Sequence, residues 1–186
     1  MGVLDNIKDK VKQIFNFNKS TADFLQYIHV GSCKNPCIDC PKRNLKIYKN
    51  GEEVFLPAHF GCDCKYKDIE TKPAGSISNK GFQAPDVHLK VYGKLPDYYI
   101  TKEEAIQKYG WSRGEDLSKF APNKMIGGNR FYNREGYLPE KEGRIWYECD
   151  VDYSSGLRYS ERLYYSNDGL MFYSINHGES EFIYIK

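Results

Sequence analysis

A chain of 186 residues can bury one sizeable core or two small ones, and its formal net charge of +2 excludes the broadly basic coat of a protein that grips nucleic acid over its whole surface. Any phosphate site must then be a local cluster of cations. No apolar run is long enough to span a bilayer, and the lysine-bearing N-terminus lacks the unbroken apolar stretch of an export signal, so neither a membrane span nor a cleaved leader is expected.

In chain order, residues 1–29 read as helical. Val3, Leu4, Ile7, Val11, Ile14 and Phe15 follow a helical period, and Ser20 or Thr21 is placed to cap a second helix through Phe24, Leu25 and Ile28. The six cysteines are spread unevenly: Cys33, Cys37, Cys40, Cys62 and Cys64 crowd one third of the chain, and Cys149 stands alone. Cys37-Ile38-Asp39-Cys40 is a C-x-x-C knuckle, and His59-Phe60-Gly61-Cys62-Asp63-Cys64 is an H-x-x-C-x-C return. Asn50-Gly51, flanked by Lys46-Ile47-Tyr48 and Val54-Phe55-Leu56, predicts a hairpin that brings the two halves together. Four such donors suit a closed tetrahedral structural zinc, with Cys37, Cys40, His59 and Cys62 as the expected ligands and Cys64 or Cys33 as substitutes; free thiols or disulfides are the plainer alternative. This unit, Cys33 to Lys67, resembles the cysteine/histidine segment of Mu-type phage minor head proteins, whose return half is matched by Pro57-Ala58-His59-Phe60-Gly61-Cys62-Asp63-Cys64.

Residues 68–82, with Lys72-Pro73-Ala74-Gly75-Ser76 and Asn79-Lys80-Gly81, show little periodicity and are expected to form a linker between a helical, zinc-knuckle-like module (1–67) and a second domain (83–186). In that domain Pro85 and Gly93 bound a short helix, and Thr101 is placed to cap another running to about Tyr109, with Glu104 completing a capping box. Sixteen tyrosines favour β structure, and alternation sets in near the C-terminus. Ile145, Tyr147, Cys149 and Val151 fall on one face of a strand, and Trp146, Glu148 and Asp150 on the other. Arg162 to Ser166 alternates likewise, Asn167-Asp168-Gly169 is a hairpin signal, and Leu170 to Ile175 returns. An antiparallel sheet with one polar working face is the prediction.

Trp146 to His177 therefore gathers Glu148, Arg158, Arg162 and His177 on or beside successive strands, the residue types that acid/base chemistry on a phosphate uses. Taken singly, each has a plainer reading. A surface Glu or Arg is usually solvated, a lone His is usually structural, and both arginines have Asp150 or Glu161 as ion-pair partners.

From about Gln83 to Lys186 the chain resembles barnase-like microbial ribonucleases. The landmarks are Leu95-Pro96-Asp97-Tyr98-Tyr99-Ile100-Thr101-Lys102, Gly110-Trp111, Ile126-Gly127-Gly128, Asn133-Arg134-Glu135-Gly136, and then Glu148, Arg158, Arg162 and His177 in order. The resemblance implies an α+β fold, helices packed on a twisted antiparallel sheet, and a metal-independent endoribonuclease acting on single-stranded RNA through a 2′,3′-cyclic phosphate. Glu148 would be the base and His177 the acid, with Arg158, Arg162 and Lys102 bracing the phosphate. It also implies that Tyr132-Asn133-Arg134-Glu135 reads guanine, with backbone N–H groups on O6 and Glu135 on N1 and N2; an ordinary turn needs only Asn133 and Gly136. Gly178 stands where the family usually has an aromatic residue, and Tyr132 replaces a small one, so substrate binding is expected to differ at both points.

A ribonuclease endangers the cell that makes it. The expectation is a toxin, synthesised in the cytoplasm, delivered by a specialised route and held at home by an acidic, barstar-like inhibitor or immunity protein. Two other classes are a phage-derived structural or RNA-binding protein without catalysis, which has no use for the base and acid, and a metal-dependent nuclease built on the cysteine cluster.

Overall fold

The computed structural model describes residues 26–29, 45–48, 56, 60–62, 64–179 and 181–186. Its strands in chain order are β1 (Gln26–His29), β2 (Ile47–Tyr48), β3 (Lys65–Asp68), β4 (Thr71–Lys72), β5 (Tyr99–Ile100), β6 (Met125–Phe131), β7 (Trp146–Asp150), β8 (Arg162–Ser166), β9 (Met171–Ser174) and β10 (Ile183–Ile185). The helices are α1 (Pro85–Tyr92), α2 (Lys102–Tyr109) and α3 (Leu117–Phe120). Few helices and one large sheet make an α+β arrangement, as expected.

The large sheet has seven strands in the order β4-β10-β9-β8-β7-β6-β5. Its middle is an antiparallel meander, but the edges depart from expectation: β4 pairs parallel with β10, and β5 pairs parallel with β6. Both edge strands are two residues long, and each enters the sheet after or before a crossing segment, which allows the parallel direction. The segment expected to be a linker is thus pinned to the sheet. Beyond β4, Ala74 N–H donates to Lys186 O at 2.7 Å, and the Ser78 hydroxyl donates to Asp152 Oδ1 at 2.6 Å.

The N-terminal reading changes at one point. Gln26–His29, expected at the end of a helix, is the central strand of a separate three-stranded sheet, β2-β1-β3. Its four residues pair antiparallel with Lys65–Asp68, and this ladder, formed with residues far away in sequence, overrides a helical period that one turn cannot sustain by itself. β2 pairs with β1 at Gln26 and Tyr27, while the rest of the predicted Asn50-Gly51 hairpin and the helix over 1–25 lie outside the described residues.

Helix ends follow their local chemistry. Pro85 opens α1 and Gly93, left-handed at φ 69°, closes it. Thr101 caps α2 by accepting from Glu104 N–H at 3.0 Å, whereas the Glu104 carboxylate lies 3.5 Å from Lys108 Nζ. α1 packs through Ala84 and Val87 onto Cys149, Val151, Leu163, Met171 and Ile185. α2 and α3 cover Ile100, Met125 and Ile126 through Ala105, Trp111 and Leu117.

The opposite face differs from the uniformly polar one predicted. Neighbouring strands align side chains in rows, and the row Glu148, Tyr164, Phe172 separates two environments. On one side lie Trp146, Leu138, Leu170 and Phe182 with Ile47 and Ile69 from the N-terminal segment, forming an apolar cluster. On the other is the row Asp150, Arg162, Ser174. The face is apolar at one end because the N-terminal segment covers it, and polar only where it stays open.

Candidate active site

The polar end of the face is assembled from four elements. Gly127 leaves no room for a side chain, since an added Cβ would lie 2.5 Å from Tyr99 and 2.7 Å from Cys149. The next residue, Gly128, is left-handed at φ 83°, and the register between β6 and β7 slips there. This glycine bulge sets Asn129 opposite Glu148. Asn129 Oδ1 in turn accepts from Lys102 N–H at 2.9 Å, fixing the start of α2 so that Lys102 Nζ donates to Glu148 Oε1 at 2.6 Å. The two side chains are only 22% and 18% exposed, a partly desolvated pair at the rim of the face.

Asp150, one pleat further along β7, is 1% exposed and collects both arginines. Arg158 binds it in bidentate fashion, Nε to Oδ2 at 2.7 Å and Nη2 to Oδ1 at 2.6 Å. Arg162 approaches Asp150 Oδ1 at 3.2 Å and also donates to the carbonyls of Tyr159 and Glu161. The plainer expectation for the arginines, pairing with Asp150, is therefore what the structure contains. Pairing does not remove their positive field from the site, because two guanidiniums share one carboxylate.

His177 follows β9 in a tight turn. Its φ is 59°, unusual for a residue with a side chain, and its N–H donates to Ser160 O at 3.0 Å. The buried Ser174 hydroxyl donates to Asn176 Oδ1 at 2.7 Å and accepts from Gly178 N–H at 3.1 Å, so it organises the turn from below. Burial, then the charges of Arg162 and Arg158, pull the His177 pKa below its ordinary value of 6.5, while Glu148 pulls it up. By geometry, the His177 turn follows β9, whose Ser174 stands opposite Arg162, and its N–H is held by the carbonyl of Ser160, between Arg158 and Arg162 in the chain. At Gly178, with φ 77°, an added Cβ would lie 2.7 Å from the Tyr164 hydroxyl. The room for a side chain after the histidine is already filled by that tyrosine from β8.

The 132–138 loop follows β6, whose Asn129 and Phe131 stand opposite Glu148 and Trp146. Asn133, at φ 46° and 6% exposed, holds it from inside: Nδ2 donates to Leu138 O at 2.9 Å, and Oδ1 accepts from Leu138 N–H at 3.1 Å. Gly136 N–H donates back to Asn133 O at 2.8 Å. The Asn133 side chain is therefore spent on the loop, whereas Arg134 and Glu135 are exposed and Tyr132 is 65% exposed with the Arg130 and Arg134 guanidiniums 5.1 and 5.8 Å from its ring. Asn129, Ser174 and Tyr164 are positioning residues that sequence reasoning did not assign, while Asp150, weighed there with Glu161 as an ion-pair partner, is the anchor both arginines share. Only Asp150 had a signal, an acidic residue on the site face of a strand.

Of the expected zinc ligands, Cys37, Cys40, His59 and the substitute Cys33 lie outside the described residues; Cys62 is half-buried and Cys64 buried. Among the described residues no group of three or more His, Cys, Asp or Glu side chains is placed to hold a metal. Cys149 is fully buried in the sheet, and burial pushes its thiol pKa far up, which makes it a packing residue. Among the described residues no helix is long and apolar enough to cross a membrane.

Bulge, carboxylate, paired arginines and turn-borne histidine define a nuclease-type site on an α+β scaffold, and comparison with known proteins gives the same class. The ribonuclease family model matches residues 82–185. A ribonuclease of Heyndrickxia coagulans is 49% identical over 92 residues, covering 48% of this chain and 83% of that protein. Ribonucleases of Bacillus intermedius and Bacillus pumilus are each 49% identical over 92 residues, 48% of this chain, but the match spans only 56% of their own length. The chain belongs to the ribonuclease family and is an endoribonuclease. RNA is the substrate that membership implies. The phage head-protein resemblance of residues 33–67 gains no support from these matches.

Proposed function

We propose that the enzyme cleaves single-stranded RNA after guanosine, without a metal, by transesterification to a 2′,3′-cyclic phosphate followed by hydrolysis. Glu148 takes the proton of the ribose 2′-OH, the 2′-oxygen forms a bond to phosphorus, and the bond from phosphorus to the 5′-oxygen breaks as His177 gives its proton to that leaving oxygen. In the second step neutral His177 takes a proton from water, whose oxygen forms a bond to phosphorus, and the bond from phosphorus to the 2′-oxygen breaks as Glu148 returns its proton to that oxygen. Lys102, Arg158 and Arg162 balance the charge that gathers on the phosphorane oxygens. What supports this reading is the register that sets Glu148 and the Asp150-anchored arginines on one face, with the His177 turn tied to Ser160 beside them.

Guanine preference rests on the exposed Arg134 and Glu135 in a loop whose shape is held internally by Asn133. Base edges are accessible in unpaired RNA, and an exposed carboxylate accepts from guanine N1 and N2. Residues 83–186 are the catalytic domain in this reading. Residues 1–67 would carry a structural zinc on Cys37, Cys40, His59 and Cys62, with no part in cleavage.

The biological role we infer is that of a toxin, made in the cytoplasm, delivered by a specialised route and restrained in the producer by an acidic inhibitor that covers the arginine cluster. A producing strain that tolerates the active enzyme with no such inhibitor would overturn that role.

The test is a single-guanosine RNA incubated with the wild type and with Glu148→Ala and His177→Ala, all in chelator. Cleavage after guanosine to a cyclic phosphate is expected, with kcat reduced about 100- to 10,000-fold in each variant. Cleavage that stops in chelator would replace this mechanism with a metal-dependent one, and a folded wild type that binds without cutting would leave a phage-derived RNA-binding protein.

A further inference from the structure

The family match begins at residue 82, yet a segment far ahead of it reaches the 132–138 loop. Ile47 N–H, in β2, donates to Tyr137 O at 2.8 Å. The Ile47 side chain is 4% exposed and packs in the same cluster as Leu138 and Trp146. Lys46, the residue before it, lays its ammonium across Gly136, where an added Cβ would lie 2.9 Å from Nζ and 3.3 Å from Cε. Gly136 and Tyr137 are thus touched by two successive residues of the N-terminal segment, and the next loop residue, Leu138, shares a core cluster with Ile47. Leu138 is also the residue that Asn133 grips through both its N–H and its carbonyl. A short path therefore runs from Ile47 through Leu138 to Asn133, which is flanked by Tyr132, Arg134 and Glu135.

We propose that Lys46 and Ile47 are positioning residues for base recognition, a strut by which the N-terminal segment holds the 132–138 loop in its guanine-reading shape. The proposal deepens the reading above and rests on it. The loop carries two left-handed residues, Asn133 at φ 46° and Gly136 at φ 64°, and loop backbone of that kind keeps one shape only while its surroundings fix it. The strut supplies one backbone hydrogen bond, one buried aliphatic side chain and one cation laid on the glycine. Its hydrogen bond and its cation fall on the loop, at Tyr137 and Gly136, and not on Glu148, Asp150 or Arg162, so it acts on binding of the base and leaves the chemical step alone.

The experiment uses the full chain with Ile47→Ala and the milder Lys46→Met, which keeps the stem and removes the charge. Steady-state kinetics on the dinucleotides GpU and ApU are read together with hydrogen exchange of the backbone amides. For Ile47→Ala, KM for GpU is expected to rise about tenfold with kcat held within about twofold and ApU unaffected, while exchange quickens at residues 133–138 and stays slow in β7 and β8. Lys46→Met moves the same quantities in the same direction by less. Unchanged GpU kinetics with unchanged loop exchange in both variants overturn the proposal, as does a loss of kcat accompanied by faster exchange throughout the sheet. A wild type that cleaves ApU as well as GpU sinks the guanine reading, and the strut is then decided by exchange alone: acceleration confined to 133–138 upholds it, and none overturns it.

Discussion

The two halves of the candidate site are held in opposite ways. Glu148 and Arg162 stand on central strands of the sheet, and Arg158 is tied to them by a carboxylate that is 1% exposed. Their positions are set by register, a bulge and buried ion pairs. The 132–138 loop has no ladder. One buried asparagine, one turn hydrogen bond and a contact from the distant N-terminal segment give it its shape. Phosphate chemistry is the same for every RNA and tolerates a rigid frame, whereas the base selection proposed for the loop would sit where sequence change costs the core little.

The largest effect that would sharpen this contrast comes from Asp150→Ala. It leaves two largely buried guanidiniums facing each other without their shared carboxylate, so a loss of about 3–5 kcal/mol in denaturant unfolding is expected, together with collapse of activity on every dinucleotide. A loss below about 1 kcal/mol would mean that the Tyr159 and Glu161 carbonyls suffice to hold Arg162 and that Arg158 reaches solvent. Asn133→Ala is the loop counterpart. It unpairs the Leu138 N–H and C=O, and a cost of about 1–3 kcal/mol is expected, with KM for GpU rising more than for ApU. Equal effects on both substrates would break the division between chemistry and selection.

Asp86 gives a smaller test outside both halves. It is fully buried, its Oδ2 accepts from Gly75 N–H at 2.7 Å, and its Oδ1 has no hydrogen-bond partner among the described residues. Burial raises its pKa, against the pull of backbone N–H groups at Gly75 and Val87. A raised folded pKa means that stability is greatest at low pH and declines as pH rises through that pKa. Asp86→Asn, which keeps an acceptor for Gly75, is expected to stabilise the protein by about 1 kcal/mol at pH 7 and by little near pH 3, read from thermal melts at both. No gain at pH 7 would show that the carboxylate's interaction with the start of α1 offsets its burial.

The smallest expected effect is in the histidine titration. In its proposed role as proton donor His177 must be charged, so the alkaline limb of kcat/KM should fall at a lower pH than an ordinary imidazole would give, because burial and the two arginines depress its pKa. Glu148→Gln removes the charge that opposes them, and NMR titration should find the His177 pKa lower still. An unchanged value would separate the two groups and undo the shared site.

Much of this was legible in the residues. The period-2 run through Trp146–Asp150, the Asn167-Asp168-Gly169 turn and the Thr101 cap were readable because strand faces, hairpins and helix starts depend on neighbours in sequence. The order of Glu148, Arg158, Arg162 and His177 was readable as well. The strand at Gln26–His29, the parallel edges β4 and β5, and the apolar cover over half of the second sheet face were not, since each depends on a partner far along the chain. Gly178 shows the limit most directly. In the sequence it is only a missing aromatic residue, and in the fold its place is filled by Tyr164 from two strands earlier. Composition and local pattern determined the elements and the chemical types that the site uses. Which carboxylate anchors the arginines, what fills the space beside the histidine and what braces the 132–138 loop were decided by tertiary packing, because close approach of side chains from separate strands leaves no periodic trace.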